Sequence, residues 1–283
     1  MRTAFVLSGG ANLGCIQVGM AKALRDAGVV PDLVIGASAG AINAGWMAAD
    51  PDGDTLDGLA DVWINLRRND VFPMRFGLGL RGFVGQRNHL VPNSGIRHLL
   101  QRHLRIANLD DGRIPLHVVV TNARNGGEVL LSTGNAVDAI TASASIPGLL
   151  PPVVIDGEPY VDGGVANNTP LSHAVDLGAD RIIVLPAGYA CSLPEAPQGA
   201  LAMAVHAVGL LVHRRLAHDV ERYQSSCTLH VAPPLCPVDA NPLDFAKASK
   251  LIDRAEQTTA EWIASGGLEL HHSDQLAPQH GHP

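Results

Sequence analysis

Leu33-Val34-Ile35-Gly36-Ala37-Ser38-Ala39-Gly40-Ala41-Ile42-Asn43-Ala44 is the stretch that sets the fold class. A short apolar run enters it, and an Ala/Ile-rich segment with the composition of a buried helix leaves it. Strand, Gly-x-Ser-x-Gly, helix is the setting in which a serine is lifted on a sharp turn with its hydroxyl exposed. The geometry dictates the residue types. The serine's own backbone is strained and the two flanking elements nearly touch, so its neighbours must be small. Gly36, Ala37, Ala39, Gly40 and Ala41 all are. A Gly/Ala-rich turn that serves only close helix packing also fits the pentapeptide, so the rest of the chain has to decide.

Upstream, Thr3-Ala4-Phe5-Val6-Leu7 is a β-rich run ending in Ser8-Gly9-Gly10. A helix follows with Ile16, Met20, Ala23, Leu24 and Ala27 on one face and Gly28 as its stop. A β-α-β-turn-α opening predicts a parallel sheet covered on both faces, an α/β fold. Downstream, helices are predicted near residues 54–66, 94–104, 136–145, 171–177, 201–223 and 245–264. Strands are predicted at 116–121, 128–131, 181–185 and 228–231, with a hairpin at 153–161 turning on Asp156-Gly157. Residues 72–92 have no clean period. Phe, Leu and Val interleave there with Gly and with Arg75, Arg81 and Arg87, which suits a lid or membrane-contacting loop and an ordinary packed loop alike. The Ala/Leu/Val-rich run 201–212 reads as a face for the interior or for a partner. The polar tail from 269 to 283, with four histidines and two prolines after His271 counted in, reads as disordered. One domain is expected over residues 1–268.

The chain has 283 residues, is 46% hydrophobic and carries a formal net charge of −7. That composition suits a large apolar core and gives no nucleic-acid footprint. Cys15, Cys191, Cys227 and Cys236 form no C-x-x-C pair. No disulfide framework is expected, and a reducing cytoplasm is the natural fit. No leader core and no apolar run of the ~20 residues that span a bilayer is visible. A cytoplasmic protein, at most peripheral at a membrane, is expected.

Three pieces of chemistry can be joined. Ser38 is the first. The second is Gly9-Gly10-Ala11-Asn12-Leu13-Gly14, a turn at a helix N-terminus whose backbone N–H groups favour negative charge, either a phosphate or an oxyanion. It lacks the Gly-Lys-Ser/Thr of a phosphate-binding P-loop and fails the dinucleotide pattern. In a parallel sheet this turn and Ser38 open at the same edge. The third is a base. His117, His173, His206, His213, His218 and His230 follow Ser38, but none stands in a glycine-bearing turn after a strand. Asp162 does, with Gly163 and Gly164 behind it. A carboxylate at its ordinary pKa of ~4 is a poor base. Burial beside an apolar channel would raise it, and a direct Ser–Asp contact would then suffice. A turn or helix-capping aspartate is the plainer reading of Asp162 taken alone.

Four blocks in order, Leu7-Ser8-Gly9-Gly10-Ala11-Asn12-Leu13-Gly14, Gly36-Ala37-Ser38-Ala39-Gly40, 142–152 (ASASIPGLLPP) and Asp162-Gly163-Gly164 with Asn168 and Pro170, resemble the bacterial patatin-like phospholipases. The likeness covers about residues 3–186 and loosens toward Gly266. It implies a three-layer α/β/α fold with a mainly parallel central sheet, and hydrolysis of lipid acyl esters without metal or organic cofactor. It implies Ser38 as nucleophile, Asp162 as base, and Gly9, Gly10 and Ala11 as oxyanion donors. Gly14, Gly36, Gly40, Gly163 and Gly164 would support the motifs. The chain departs from the family's Gly-Gly-Gly-x-Arg-Gly at Ala11 and Leu13. The donors survive at Ala11 if its φ is negative. The missing arginine removes a positive charge, which favours neutral esters or lysolipids over anionic phospholipids. A catalytically weak lipid-binding protein and a histidine-triad hydrolase are the competing readings, and the sequence does not fix the oligomeric state.

Overall fold

The computed structural model describes residues 1–53, 55–73, 87–188, 197–236, 238 and 245–269. Most of the irregular stretch 72–92, read as a lid or a packed loop, lies outside them at 74–86, as does the tail from 270.

The sheet is built from β1 (Thr3–Leu7), β2 (Leu33–Ala37), β3 (Leu116–Asn122), β4 (Glu128–Leu131), β5 (Val153–Ile155), β6 (Glu158–Asp162), β7 (Arg181–Leu185) and β8 (Thr228–Val231). Its order is β5-β6-β3-β2-β1-β7-β8, with β4 also paired to β3. The run β3-β2-β1-β7-β8 is parallel, and β4, β5 and β6 are antiparallel additions. The hairpin turns on Asp156 and Gly157, both at positive φ. The expected mainly parallel α/β sheet is what forms.

Side chains alternate between the faces, as the two-residue period of a strand requires. Phe5, Leu7, Val34, Val118, Val120, Ile183 and Leu185 enter the larger core. Ala4, Val6, Ile35, Val119, Ile182 and Val184 enter the smaller one. The larger core is closed by α1 (Gly14–Asp26), α2 (Ala39–Ala49), α3 (Thr55–Asn65), the one-turn α4 (Arg68–Val71), α5 (Ser94–His103) and α6 (Ala136–Ser143). After the short α7 (Gly164–Asn167), helices α8 (Leu171–Asp176) and α9 (Ala200–Tyr223) cover the opposite face, while α10 (Ala248–Ala264) returns to pack on α1. Three layers result. Cys15 and Cys227 are free thiols, but Cys236 is disulfide-bonded, which corrects the expectation of no disulfide.

Candidate active site

Parallel strands put their carboxyl ends on one edge, and β1 and β2 deliver the glycine turn and Ser38 there side by side. Ser38 has φ 55 and ψ −125 as the residue preceding α2, a left-handed backbone that costs a non-glycine residue about 1–3 kcal/mol. The surroundings hold it. Its N–H donates to Ser143 Oγ at 2.9 Å, and Ser143 Oγ donates in turn to the Val119 carbonyl at 2.6 Å. A Cβ on Gly36 would strike the Gly40 backbone, and one on Gly40 would strike Leu7. Small residues here are a steric requirement.

Asp162 ends β6, antiparallel to β3, and arrives opposite Val120. Ser38 Oγ donates to Asp162 Oδ2 at 2.7 Å. The other oxygen, Oδ1, accepts from Gly164 N–H at 2.7 Å. The Asp162 backbone is fixed as well: its N–H donates to Ser145 O at 2.9 Å and its carbonyl accepts from Thr121 Oγ1 at 2.8 Å. Gly163 lies so close to the Val119 carbonyl that no side chain would fit. Ser38 and Asp162 are only 7% and 6% exposed. Burial pushes the Asp162 carboxyl up to about 6, against the smaller downward pull of the bonds from Ser38 and Gly164.

The glycine turn abuts this pair. Gly9 is held by Asn168, which accepts the Gly9 N–H through its backbone carbonyl at 3.0 Å and donates from Nδ2 to the Gly9 carbonyl at 3.2 Å. The Gly9 N–H is therefore already committed to a backbone acceptor, whereas the N–H groups of Gly10 and Ala11 meet no acceptor among the described residues. Ala11 stands at φ 51, so the condition set for its donor, a negative φ, is not met: alanine carries the left-handed backbone at a cost. Leu13 closes the turn by donating its N–H to the Gly10 carbonyl at 3.1 Å, and its side chain packs on the core. The N-terminus of α2 adds unsatisfied N–H groups beside Ser38.

A buried polar chain ties these loops to the scaffold. Gln17 Nε2 donates to the carbonyls of Ser8 (2.8 Å) and Leu185 (2.9 Å). Asn43 Nδ2 donates to Gly14 O and Gln17 Oε1, each at 2.8 Å, and Trp63 Nε1 donates to Asn43 Oδ1 at 2.9 Å. Sequence reasoning missed Gln17 and Asn43 and assigned no role to Ser143. The available signal was polar residues at otherwise apolar helix positions.

Ser38 opens into an apolar pocket of about 570 Å³, its open mouth included, lined by Ala11, Ile42, Trp63, Leu66, Phe72, Ile96, Leu99, Ile146 and Phe245 among others. Of the histidines weighed as bases, His206, His213 and His218 lie on α9. His117 Nδ1 is 2.7 Å from Ser132 Oγ, and His230 on β8 meets Trp262 edge-on at 6.5 Å. The hydroxyl of Ser38 is given to Asp162 instead. Among the described residues, no group of three or more His, Cys, Asp or Glu side chains is placed to hold a metal ion.

A family model described as patatin-like phospholipase matches residues 5–175. Lysophospholipase nte1 of Emericella nidulans is 30% identical over 183 residues, which cover 65% of this chain and 12% of that protein. Patatin-like phospholipase domain-containing protein 6 of Homo sapiens is 28% identical over 187 residues, 65% of this chain and 13% of that one. The chain thus spans only about an eighth of the curated relatives it matches, 12% to 13% of their length. Among solved structures, VipD from Legionella pneumophila aligns with a TM-score of 0.47 at 16% identity, over 93% of this chain and 67% of that one.

Proposed function

Because this chain belongs to the patatin-like phospholipase family, we propose that it is a serine hydrolase of lipid acyl esters, acting through Ser38 and Asp162. One observation carries the reading: a serine hydroxyl in the lining of an apolar pocket donates at 2.7 Å to a buried carboxylate. A pocket with so little polar lining suits a fatty acyl chain and holds the ester carbonyl at its serine end.

In the proposed reaction, ionised Asp162 accepts the Ser38 hydroxyl proton as the oxygen attacks the ester carbonyl. The oxyanion that forms is met by the N–H groups of Gly10 and Ala11 and by the N-terminus of α2. The C–O bond to the leaving alcohol breaks, and Asp162 returns the proton to that oxygen. Water then attacks the acyl-enzyme, giving its proton to Asp162. The fatty acid departs and Ser38 recovers its hydrogen. Burial matters here because a carboxyl brought to about 6 is a stronger base than one at its ordinary 3.8 while still ionised at neutral pH.

Single-tailed, neutral substrates are the proposed preference. Lysophospholipase appears in the name of the Emericella nidulans relative, and Leu13 brings no positive charge to the glycine turn. Fatty-acid release from lysophosphatidylcholine, lysophosphatidylglycerol and a neutral monoacylglycerol tests this. Release by the wild type, lost in Ser38→Ala and in Asp162→Asn, is expected, with the anionic lysolipid the poorest. Equal release by Ser38→Ala would refute the assignment.

A further inference from the structure

Helix α9 is built inside out over its first half. In a helix that covers a sheet, apolar residues face inward. Here Met203, Val205, Val208, Leu210 and Leu211 are between 43% and 70% exposed. At about 100° per residue they spread over roughly 220° of the circumference. The remaining, half-buried side carries His206, Gly209 and His213, and continues into buried Leu216 and Val220, which pack on the smaller core. No Asp, Glu, Lys or Arg occurs between Ala200 and His213; the first charges are Arg214, which is exposed, and Arg215, bonded to Asp219.

Topology says where this apolar end lies. β7 and β8 are parallel, and α9 enters β8 four residues after its own last turn. It therefore runs antiparallel to the strands, its N-terminus toward the carboxyl edge that bears the glycine turn and Ser38. Its 24 residues rise about 36 Å, whereas the five residues of β7 rise about 17 Å. The exposed half is the part that overhangs the Ser38 edge.

We propose that the N-terminal half of α9, residues 200–213, is an interfacial element that enters a phospholipid surface and sets the Ser38 edge against it, with Arg214 at headgroup level. The proposal rests on the lipid-hydrolase reading above. Three features favour lipid over a second copy of the chain. The arc is too wide for one helix–helix seam, which covers roughly a third of a helix. A cation follows directly where the apolar arc ends, as an anionic headgroup layer requires. The whole chain is at −7, so diffuse charge does not supply adhesion to anionic lipid and a local element must. No described helix is long and apolar enough to cross a membrane, so α9 would enter one leaflet without spanning the bilayer.

The test is flotation of the full chain with vesicles of phosphatidylcholine, with and without phosphatidylglycerol. The Ser38→Ala background is used so that binding is read without turnover. Expected are partition onto both vesicles, stronger on the anionic ones, and a loss of about tenfold or more in Val208→Glu/Leu211→Glu. Arg214→Gln should remove only the anionic preference. In the otherwise wild-type chain, the double variant should keep its thermal melt and its turnover of a soluble short-chain ester. Unchanged partition in the double variant overturns the proposal, as does no partition by the parent. A wild type of twice the monomer mass by light scattering, returned to monomer by the same two changes, also overturns it and assigns the surface to self-association. Partition that persists in a protein without ester turnover would sink the hydrolase reading alone.

Discussion

Asp162 sits in conflict with its surroundings. Its carboxyl is raised to about 6 from 3.8, chiefly by burial. A carboxyl raised on folding binds protons more tightly in the native state, so its favourable contribution is complete below about pH 3.8 and is lost as pH climbs through about 6. At neutral pH the buried charge then costs the fold about 3 kcal/mol. Two outcomes follow. Ester turnover should rise with pH through about 6 and level off, because in the proposed reaction the ionised form is the base. Asp162→Asn should be inactive yet more stable by about 2 kcal/mol near neutral pH, a gain that vanishes near pH 4. Urea titrations at both pH values check it, and a destabilised variant at neutral pH would count against the shift. Ser38 holds strain of a different kind, in its backbone. With φ at 55, Ser38→Gly should exceed Ser38→Ala in stability by about 1 kcal/mol, since only glycine escapes the Cβ conflict. Equal stabilities would mean that the turn is relaxed.

At the scale of elements, two strand-to-helix turns and one hairpin end have to meet within hydrogen-bond reach. The Gln17–Asn43–Trp63 chain sets the distance between the first two turns by bonding α1, α2 and α3 to the ends of β1 and β7. Asn43→Ala strands Trp63 Nε1 and Gln17 Oε1 in the interior, which should cost about 2 kcal/mol and lower turnover as the glycine turn loosens. Thermal melts and ester kinetics on one preparation would show both; a silent substitution would mean that the turns are held elsewhere. These elements were largely legible beforehand. The Gly36–Gly40 turn and the hairpin at Asp156-Gly157 declare themselves because only small or turn-forming residues satisfy their backbones. The donor count at the glycine turn was not legible. Whether Gly9 spends its N–H on Asn168, 159 residues away, is a tertiary matter that no local pattern encodes. The sequence leaves the φ of Ala11 open for a similar reason: the loop imposes a left-handed backbone that alanine does not prefer.

For the whole molecule, the sheet continues past the span matched by the family model. Residues 5–175 run from within β1 through β6, but β7 pairs directly with β1, and α10 packs on α1. The C-terminal third therefore completes the layer that supports the glycine turn. Gly19 of α1 marks how tight that contact is, because a Cβ there would strike the Ile252 carbonyl of α10 and approach Glu256 N to 2.8 Å. Gly19→Ala should destabilise the protein by about 1–3 kcal/mol, read as a lower urea midpoint with an unchanged slope. The inverted face of α9 was the hardest feature to read in sequence. An Ala/Leu/Val-rich run suits an interior helix equally well, and only its length relative to β7 and β8 shows that half of it overhangs.

The most direct measurement is labelling by a fluorophosphonate probe across roughly pH 5 to 8, read by intact mass and by mapping of the modified peptide. An activated serine predicts one adduct on Ser38, none in Ser38→Ala, slowed labelling in Asp162→Asn, and a rate in the wild type that falls as pH drops through about 6. Absence of any adduct on the folded wild type, with or without lipid vesicles, or an adduct that survives Ser38→Ala, would contradict the account.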